Sequence, residues 1–400
     1  MAKRIKALVE PTLLVWARET ASFSQKEIAE GLGVSVEQVQ GWESGKDHLS
    51  VSQLRKLAKK CKRPLSVFYL PEPPRGFQAL RDFRRLAGAV TQHYSPALAY
   101  EVRAAHERRL VAIEVLETLG ETAEDFQLTA RVTDDPEQVA PRVRERLGIT
   151  LAAQNRWGDT AKGFRAWRDA IEAAGILISV VSGAHHQIDI DEMRGFAIAD
   201  RPLPMIVVNG KDRSGGRIFT LLHELGHILL GQSVIENSLE PGTAIPAPDR
   251  AIERFCNQLA AATLMPRDSL MADALVASKT PLRTEWSDEE IEALARRYCV
   301  SRDALLVRLV ELRQITAAFW QTKRAQYARQ RDEEEQAEEP STSFAPYRQQ
   351  VLGYIGRGFA RLVLQGYHRN RLTLSAVSGY LGIQAKYVPP IERLAFGVPA

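Results

Sequence analysis

The sequence has few cysteines and no long hydrophobic run, and both features limit the classes of protein to which it can belong. Its three cysteines, Cys61, Cys256 and Cys299, are odd in number and far apart. This spacing suits neither a disulfide framework nor a cysteine-rich zinc site, and it favours a reducing, cytoplasmic location. No apolar stretch approaches the roughly 20 residues that cross a bilayer, so we expect no membrane partner. Charged residues and Pro11 interrupt the N-terminal stretch, which therefore does not match a signal peptide.

An excess of charge of one sign is also missing from the chain as a whole. The formal net charge is only +4 over 400 residues, but the charges are unevenly placed. Residues 1–70 contain 12 Lys and Arg against 7 Asp and Glu, so the remainder is close to neutral. A compact basic segment on a neutral body predicts nucleic-acid contact for that segment only.

The length predicts several domains, and the composition divides the chain into five parts. These are a domain of short helices (1–70), a linker and helical region (71–174), a domain with a small sheet (175–330), a charged linker (331–344) and a small helical C-terminal domain (345–400). Short β-branched and apolar runs predict three strands, at 175–181, 195–199 and 204–209. Residues 372–383, "LTLSAVSGYLGI", show a weak helix-turn-helix pattern that assigns no DNA contacts.

A metal-binding motif lies in the third part, in the stretch "RIFTLLHELGHILLG" at 217–231. His223 and His227 are four residues apart, so a helix presents both imidazoles on one face. Imidazole nitrogens bind zinc, and a catalytic zinc site keeps a position for water. Glu224 could take a proton from that water as it attacks a peptide carbonyl. Gly226 leaves room between the two histidines.

The simpler alternative is a core helix whose two histidines are satisfied by hydrogen bonds. The apolar context argues against it, because two uncompensated histidines and a glutamate would be costly to bury there. A third ligand, Glu253, is also available on the next predicted helix. Manganese or iron could occupy such a site as well as zinc. His185 and His186 are interpreted as surface loop residues, and Cys256 as a core residue.

These residues resemble the ImmA/IrrE family of metallo-endopeptidases over roughly 175–320. That family's pattern is a strand ending in Asn, then Phe-Thr-x-x-His-Glu-x-x-His, then Glu-x-x-Ala-Asn-x-Phe-Ala with a trailing Met-Pro. The matching residues are Asn209, Phe219, Thr220, His223, Glu224, His227, Glu253, Asn257, Ala260, Met265 and Pro266. Cys256 and Leu259 replace the usual Ala and Phe at packing positions. The resemblance implies zinc ligands His223, His227 and Glu253, with Glu224 as general base.

The basic segment at 23–69 has the pattern of short amphipathic helices joined by tight turns. Gly33 stands where a left-handed residue closes a helix, and Ser35 can cap the next helix. Such a helix-turn-helix places its second helix in the major groove of DNA. The predicted core between the helices consists of Ile28, Ala29, Leu32, Val34, Val39 and Trp42. A generic helical bundle is the alternative.

"SQKEIAEGLGVSVEQVQGWESGK" resembles the XRE (lambda-repressor-like) helix-turn-helix family in its Ser-Gln-x-x-Ile-Ala, Gly-Val-Ser and Trp-Glu-x-Gly-Lys landmarks. The resemblance implies phosphate contacts from Gln25 and Lys46. It implies that Val36, Glu37 and Gln40 face base edges, and Ser35 at the helix start is counted with the DNA-binding residues. Gly41 occupies a position where a reading side chain often stands. A homodimer would be expected on a palindromic site.

Together the resemblances imply a mostly helical α+β protein. It would contain a five-helix helix-turn-helix domain, a zincin-like metallopeptidase domain with a small sheet, and a small helical C-terminal domain. One hypothesis is a zinc endopeptidase and DNA-binding regulator that cleaves a helix-turn-helix repressor in phage, mobile-element or stress circuits. The alternative is a transcriptional regulator, or the antitoxin of a toxin–antitoxin pair, whose metal domain is a scaffold or sensor. Self-cleavage in the segments 69–76 or 331–343 is a further hypothesis.

Overall fold

The computed structural model describes residues 5–74, 81–82, 94–123, 126–182, 188–236, 247–282, 285–337 and 347–397. The chain forms two compact units, Met1–Ala79 with Gly88–Ala104, and Leu80–Ala87 with Ala105–Ala400. His185 and His186 lie outside the described residues. Within the described ranges, every helix is too short or too polar to cross a lipid bilayer.

The first unit is a bundle of short helices. They are α1 (Pro11–Glu19), α2 (Gln25–Leu32), α3 (Val36–Glu43), α4 (Val51–Lys60), a 3-10 helix (Leu65–Tyr69) and the first turns of α5 (Pro96–Leu119). Ser24, Ser35 and Ser50 begin α2, α3 and α4, each with a reciprocal capping box. Gly33 ends α2 in the left-handed conformation, with φ +69°. Over residues 5–70, which the structure describes, the five predicted helices are four α-helices and one 3-10 helix.

The core of this bundle follows the predicted helical spacing. The side chains of Ile28, Ala29, Leu32, Val39 and Trp42 are buried together, and Val34 packs against them half-buried. Because α2 and α3 share this core, the angle between them is held by apolar contacts that the sequence pattern already indicates.

The second unit contains the remaining helices around a sheet. They are α6 (Pro136–Leu147), α7 (Leu151–Gln154), α8 (Thr160–Ala173), α9 (Ser214–Leu229), α10 (Ala247–Leu264), α11 (Arg267–Ala272), α12 (Ala274–Ala277), α13 (Asp288–Tyr298), α14 (Arg302–Glu311), α15 (Ala317–Ala337), α16 (Tyr347–Ile355), α17 (Arg357–His368), α18 (Leu374–Tyr380), a 3-10 helix (Ala385–Tyr387) and α19 (Val388–Phe396). The fold is mostly helical α+β, as the sequence predicts.

Within the part of the chain that the structure describes, the sheet has five strands rather than the three predicted. They are β1 (Arg81–Asp82), β2 (Leu177–Val181), β3 (Gly195–Ile198), β4 (Met205–Asn209) and β5 (Val234–Glu236), in the order β1-β5-β3-β4-β2. Strand β3 runs antiparallel to β4 and β5, whereas the pairs β2–β4 and β1–β5 are parallel. The two unpredicted strands have two and three residues, too few to show a period of two.

Helix α9 packs between the sheet and the helices α8 and α10. Its side chains from Thr220 to Leu229 are all buried, because it has protein on every side. A helix in this position is apolar around its whole circumference, which explains the continuous apolar run around the motif. The polar residues on α9 therefore lie inside the core.

The C-terminal helices belong to the same compact unit as the sheet. Helices α16 and α17 contact β2. The Gly358 amide donates to Glu172 Oε1 at 3.0 Å, and Ser179 on β2 donates to the Tyr354 carbonyl. Helices α16 and α17 thus pack on the edge strand of the sheet, while the five domain boundaries remain a prediction.

Candidate metal centre and nucleic-acid interface

Helix α9 presents His223 and His227 on one face, one turn apart. Their Nε2 atoms are 3.0 Å apart, and neither side chain is exposed to solvent. The rings meet edge to face, with centroids 4.8 Å apart. The i, i+4 spacing thus produces the convergence that the motif predicts.

Helix α10 brings Glu253 to the same point. Glu253 Oε2 lies 3.4 Å from His223 Nε2, and Oε1 lies 3.4 Å from His227 Nε2. One ligand atom from each residue lies within 4.8 Å of the others, and all three residues are buried. The structure therefore brings together the three predicted metal ligands, from two helices that pack directly on each other.

The protonation of these groups suits a metal ion. Burial lowers the pKa of His227, which favours the neutral ring with a lone pair. Burial raises the pKa of Glu253, but its contacts with His223 and His227 outweigh this and hold the pKa below its usual range. Two neutral imidazoles and one carboxylate are a donor set that zinc takes in catalytic sites. The residues fit a bound metal.

Asn257 orients one of the histidines. Its Oδ1 lies 3.0 Å from His223 Nδ1, one helical turn beyond Glu253 on α10. Since Oδ1 can only accept, Nδ1 carries the proton and the Nε2 lone pair points toward Glu253. Asn257 matches the family's motif, and this contact between two helices gives it a role in positioning His223.

Glu224 lies under strand β3 and is fully buried. A Cβ built on Gly195 would come within 3.0 Å of Glu224 Oε1 and 2.6 Å of Thr220 Cγ2. Only glycine fits there without moving the carboxylate. Sequence reasoning missed Gly195, whose only signal is a glycine at the start of a predicted strand.

Gly226 lies where α9 contacts α10. A Cβ at Gly226 would lie 3.1 Å from Cys256 Sγ and 3.2 Å from the Cys256 Cα. The absence of a side chain lets α9 and α10 approach closely, which brings Glu253 within reach of the histidines. Cys256 is a buried packing residue, as predicted.

Comparison with protein families agrees with both resemblances. Residues 181–310 match the family model described as the IrrE N-terminal-like domain (Peptidase_M78), and residues 14–68 match the helix-turn-helix model HTH_3. The chain joins a helix-turn-helix domain to an IrrE-like domain. No curated protein matches it. His223, Glu224, His227 and Glu253 all lie within the metallopeptidase-type match.

In the helix-turn-helix domain, Gln25 and Gln40 form a pair. Gln40 Nε2 donates to Gln25 Oε1 at 3.4 Å, and Gln25 Nε2 donates to Glu43 Oε2 at 2.7 Å. Arg18 holds Glu43 through its Nε at 2.6 Å and a second nitrogen at 3.1 Å. Glu43 belongs to the Trp-Glu-x-Gly-Lys landmark, but the sequence predicted no role for it or for Arg18, because the two residues are 25 positions apart.

The other predicted DNA-binding residues differ in exposure. Glu37 and Lys46 are exposed, like Gln40. Val36 is half-buried against the core, and Ser35 Oγ accepts from the Gln38 amide at 3.3 Å as the cap of α3. Of the six, Ser35, Glu37, Gln40 and Lys46 are thus exposed, whereas Gln25 and Val36 are half-buried.

Proposed function

We propose that the protein is a zinc-dependent endopeptidase and a DNA-binding transcriptional regulator. The main support for this proposal is that His223, His227 and Glu253 converge beside a buried glutamate, Glu224. A structural metal site needs no carboxylate next to its ligands, so the adjacent Glu224 favours catalysis. We propose zinc because of the donor set, and a repressor-type protein as the substrate because the resemblance implies it.

Zinc, when bound, supplies a Lewis acid that lowers the pKa of water and polarises a carbonyl oxygen. His223, His227 and Glu253 would hold the ion, and Asn257 keeps the proton of His223 on Nδ1. A carboxylate oxygen of Glu224 accepts the proton of the attacking water as the new C–O bond forms. Glu224 then delivers this proton to the peptide nitrogen as the C–N bond breaks. Gly195 leaves the space in which that carboxylate lies.

The helix-turn-helix domain would place the start of α3 in the major groove of duplex DNA. Glu37 can accept from a cytosine amine and Gln40 can pair with adenine, whereas Lys46 suits a phosphate. The Gln25–Gln40 hydrogen bond would orient Gln40 toward the bases. A homodimer on a palindromic site follows from the same proposal.

A second candidate function has one observation in its favour. His223, Glu224 and His227 have no exposed surface, so a peptide reaches them only after an opening movement. A transcriptional regulator whose metal domain acts as a sensor or a scaffold, without proteolysis, would have such a closed site. A protease switched on by a signal would show it as well, and the two differ in whether new N-termini appear.

The experiment compares newly created protein N-termini in cells that express wild type or Glu224→Gln, with and without DNA-damaging or oxidative stress. The substitution keeps the three ligands and removes the base. We expect new N-termini that vanish in Glu224→Gln and persist in the exposed control Glu145→Gln. Identical sets of N-termini under every condition would favour the non-proteolytic regulator.

A further inference from the structure

The C-terminal part of the chain is strongly basic. Residues 345–400 contain seven Arg and Lys and a single acidic residue, Glu392. His368 contacts Glu392 at 2.5 Å, so that one carboxylate already faces a basic partner. Although the chain beyond residue 70 is nearly neutral overall, its C-terminal part is therefore basic. A basic surface attracts polyanions.

Within this part, residues 374–396 form a helix, a turn and a second helix. Helix α18 ends in a turn that contains Gly382 at φ +63°, and the 3-10 helix at Ala385–Tyr387 continues into α19. The Ile383 amide donates to the Ser378 carbonyl at 3.0 Å, and Ser378 Oγ donates to the Ile383 carbonyl. Val377, Leu381, Ile383, Val388 and Ile391 are buried in this part of the fold. The 3-10 helix contacts both α18 and α19, and α18 and α19 both pack on α17.

Prolines shape the beginning of the second helix. Pro389 and Pro390 have no amide hydrogen, so the carbonyls four residues before them receive no α-helical bond. The first turn is accordingly a 3-10 turn, and the α-helix begins at Val388. The helix nevertheless runs without interruption from Ala385 to Phe396, long enough to lie in a groove of DNA.

The outer face of this helix is polar and basic. Gln384, Lys386 and Arg393 are exposed, and Lys386 and Arg393 are seven residues apart, about two turns along one face. Arg371, which precedes α18, is also exposed. Among the described residues, no ion pair with a carboxylate engages Lys386, Arg393 or Arg371. Their charges are available to an external anion.

We propose that residues 371–393 form a second nucleic-acid-binding surface, which holds duplex DNA mainly through its phosphates. The helix-turn-helix sets the geometry, and Arg371, Lys386 and Arg393 provide the charge. With Gln384 as the one amide at the start of the second helix, the surface would add affinity more than sequence preference. It is separate in the chain from the helix-turn-helix at 14–68.

The test measures binding of the full-length chain to a fluorescent DNA duplex at several salt concentrations. The variant Arg371→Ala/Lys386→Ala/Arg393→Ala should bind more weakly, and the slope of log K against log salt should fall by about 2–3, at ~0.9 per lost phosphate contact. The matched control Arg142→Ala/Arg156→Ala/Arg165→Ala removes three exposed charges elsewhere and should leave the slope unchanged. Hydrogen exchange should show protection of 384–393 when DNA is added.

The outcome for the C-terminal surface can be told apart from the outcome for the proposed function. Additive losses in slope when Lys46→Ala is combined with the C-terminal variant would establish two surfaces. An unchanged affinity and slope, with no protection of 384–393, would overturn the C-terminal surface and leave the N-terminal one standing. The proposal would also be overturned if the C-terminal variant lost binding to a protein rather than to DNA, because the surface would then bind a protein partner.

Discussion

Helices α9 and α3 both carry proposed functional residues, but they place them in opposite environments. On α9, the side chains of His223, Glu224 and His227 point into the core, where neighbouring helices and a strand hold them. On α3, only Val39 and Trp42 are buried, and Glu37 and Gln40 point outward. Buried polar groups need hydrogen-bond partners within the protein at defined distances, whereas exposed polar groups are free to bind a ligand.

The difference makes the two sites respond differently to mutation. A change near α9 should alter metal binding or stability through packing, because the side chains there are buried and closely packed. A change on the outer face of α3 should alter DNA binding with little effect on folding. Four substitutions sharpen this contrast, in order of decreasing effect.

The largest effect is expected for Asn257→Leu. Loss of the hydrogen bond to His223 Nδ1 should weaken zinc binding by about 10–100-fold. Asn257→Asp keeps an acceptor oxygen and should stay close to wild type. Gln258→Leu, the next residue on α10, is the matched control. Competition with a chromogenic chelator measures the affinity, and equal affinities for Asn257→Leu and wild type would rule out a positioning role.

Gly226→Ala should destabilise the second unit by about 1–2 kcal/mol. Overpacking against the Cys256 backbone costs about 1–3 kcal/mol, which the better helix propensity of Ala offsets by up to about 1 kcal/mol. Gly353→Ala in α16 meets no atom within 4 Å and should be stabilising. Denaturant unfolding measures both, and stabilisation by Gly226→Ala would contradict the close approach of α9 and α10.

Ser35→Ala should cost the helix-turn-helix domain about 1 kcal/mol, because it removes the cap of α3. Ser52→Ala, at an exposed position in the first turn of α4, should be close to neutral. Thermal unfolding of the full chain, monitored by exchange of the α3 amides, tests this. A loss of DNA affinity without any loss of stability would instead assign Ser35 chiefly to DNA contact.

The smallest effect is expected for Lys46→Ala. Removing one exposed charge should reduce the salt slope of DNA binding by ~0.9 and leave the unfolding free energy unchanged. Lys56→Ala on α4 is the control of equal charge. If Lys46→Ala lowers stability instead, its side chain supports the fold and the contrast between the two helices fails.

The sequence predicted the main elements of the fold where a pattern was long enough to be recognised. The three longer strands, the capped helices α2 and α3 and the helix α9 all lie close to their predicted positions. The strands β1 and β5 were missed because pairing with neighbours, rather than periodicity, defines strands of two or three residues. The Arg18–Glu43–Gln25 network was missed because it depends on how three helices pack.

The sequence by itself determined the spacing of His223 and His227, since a helix places residues four apart on one face whatever surrounds it. It also determined the caps of α2 and α3, which depend on neighbouring residues. Only the tertiary structure decided that Asn257 binds His223, that Gly195 makes space for Glu224 and that Gly226 admits α10. These contacts join residues far apart in the chain, and their distances are set by the packing of whole helices and strands.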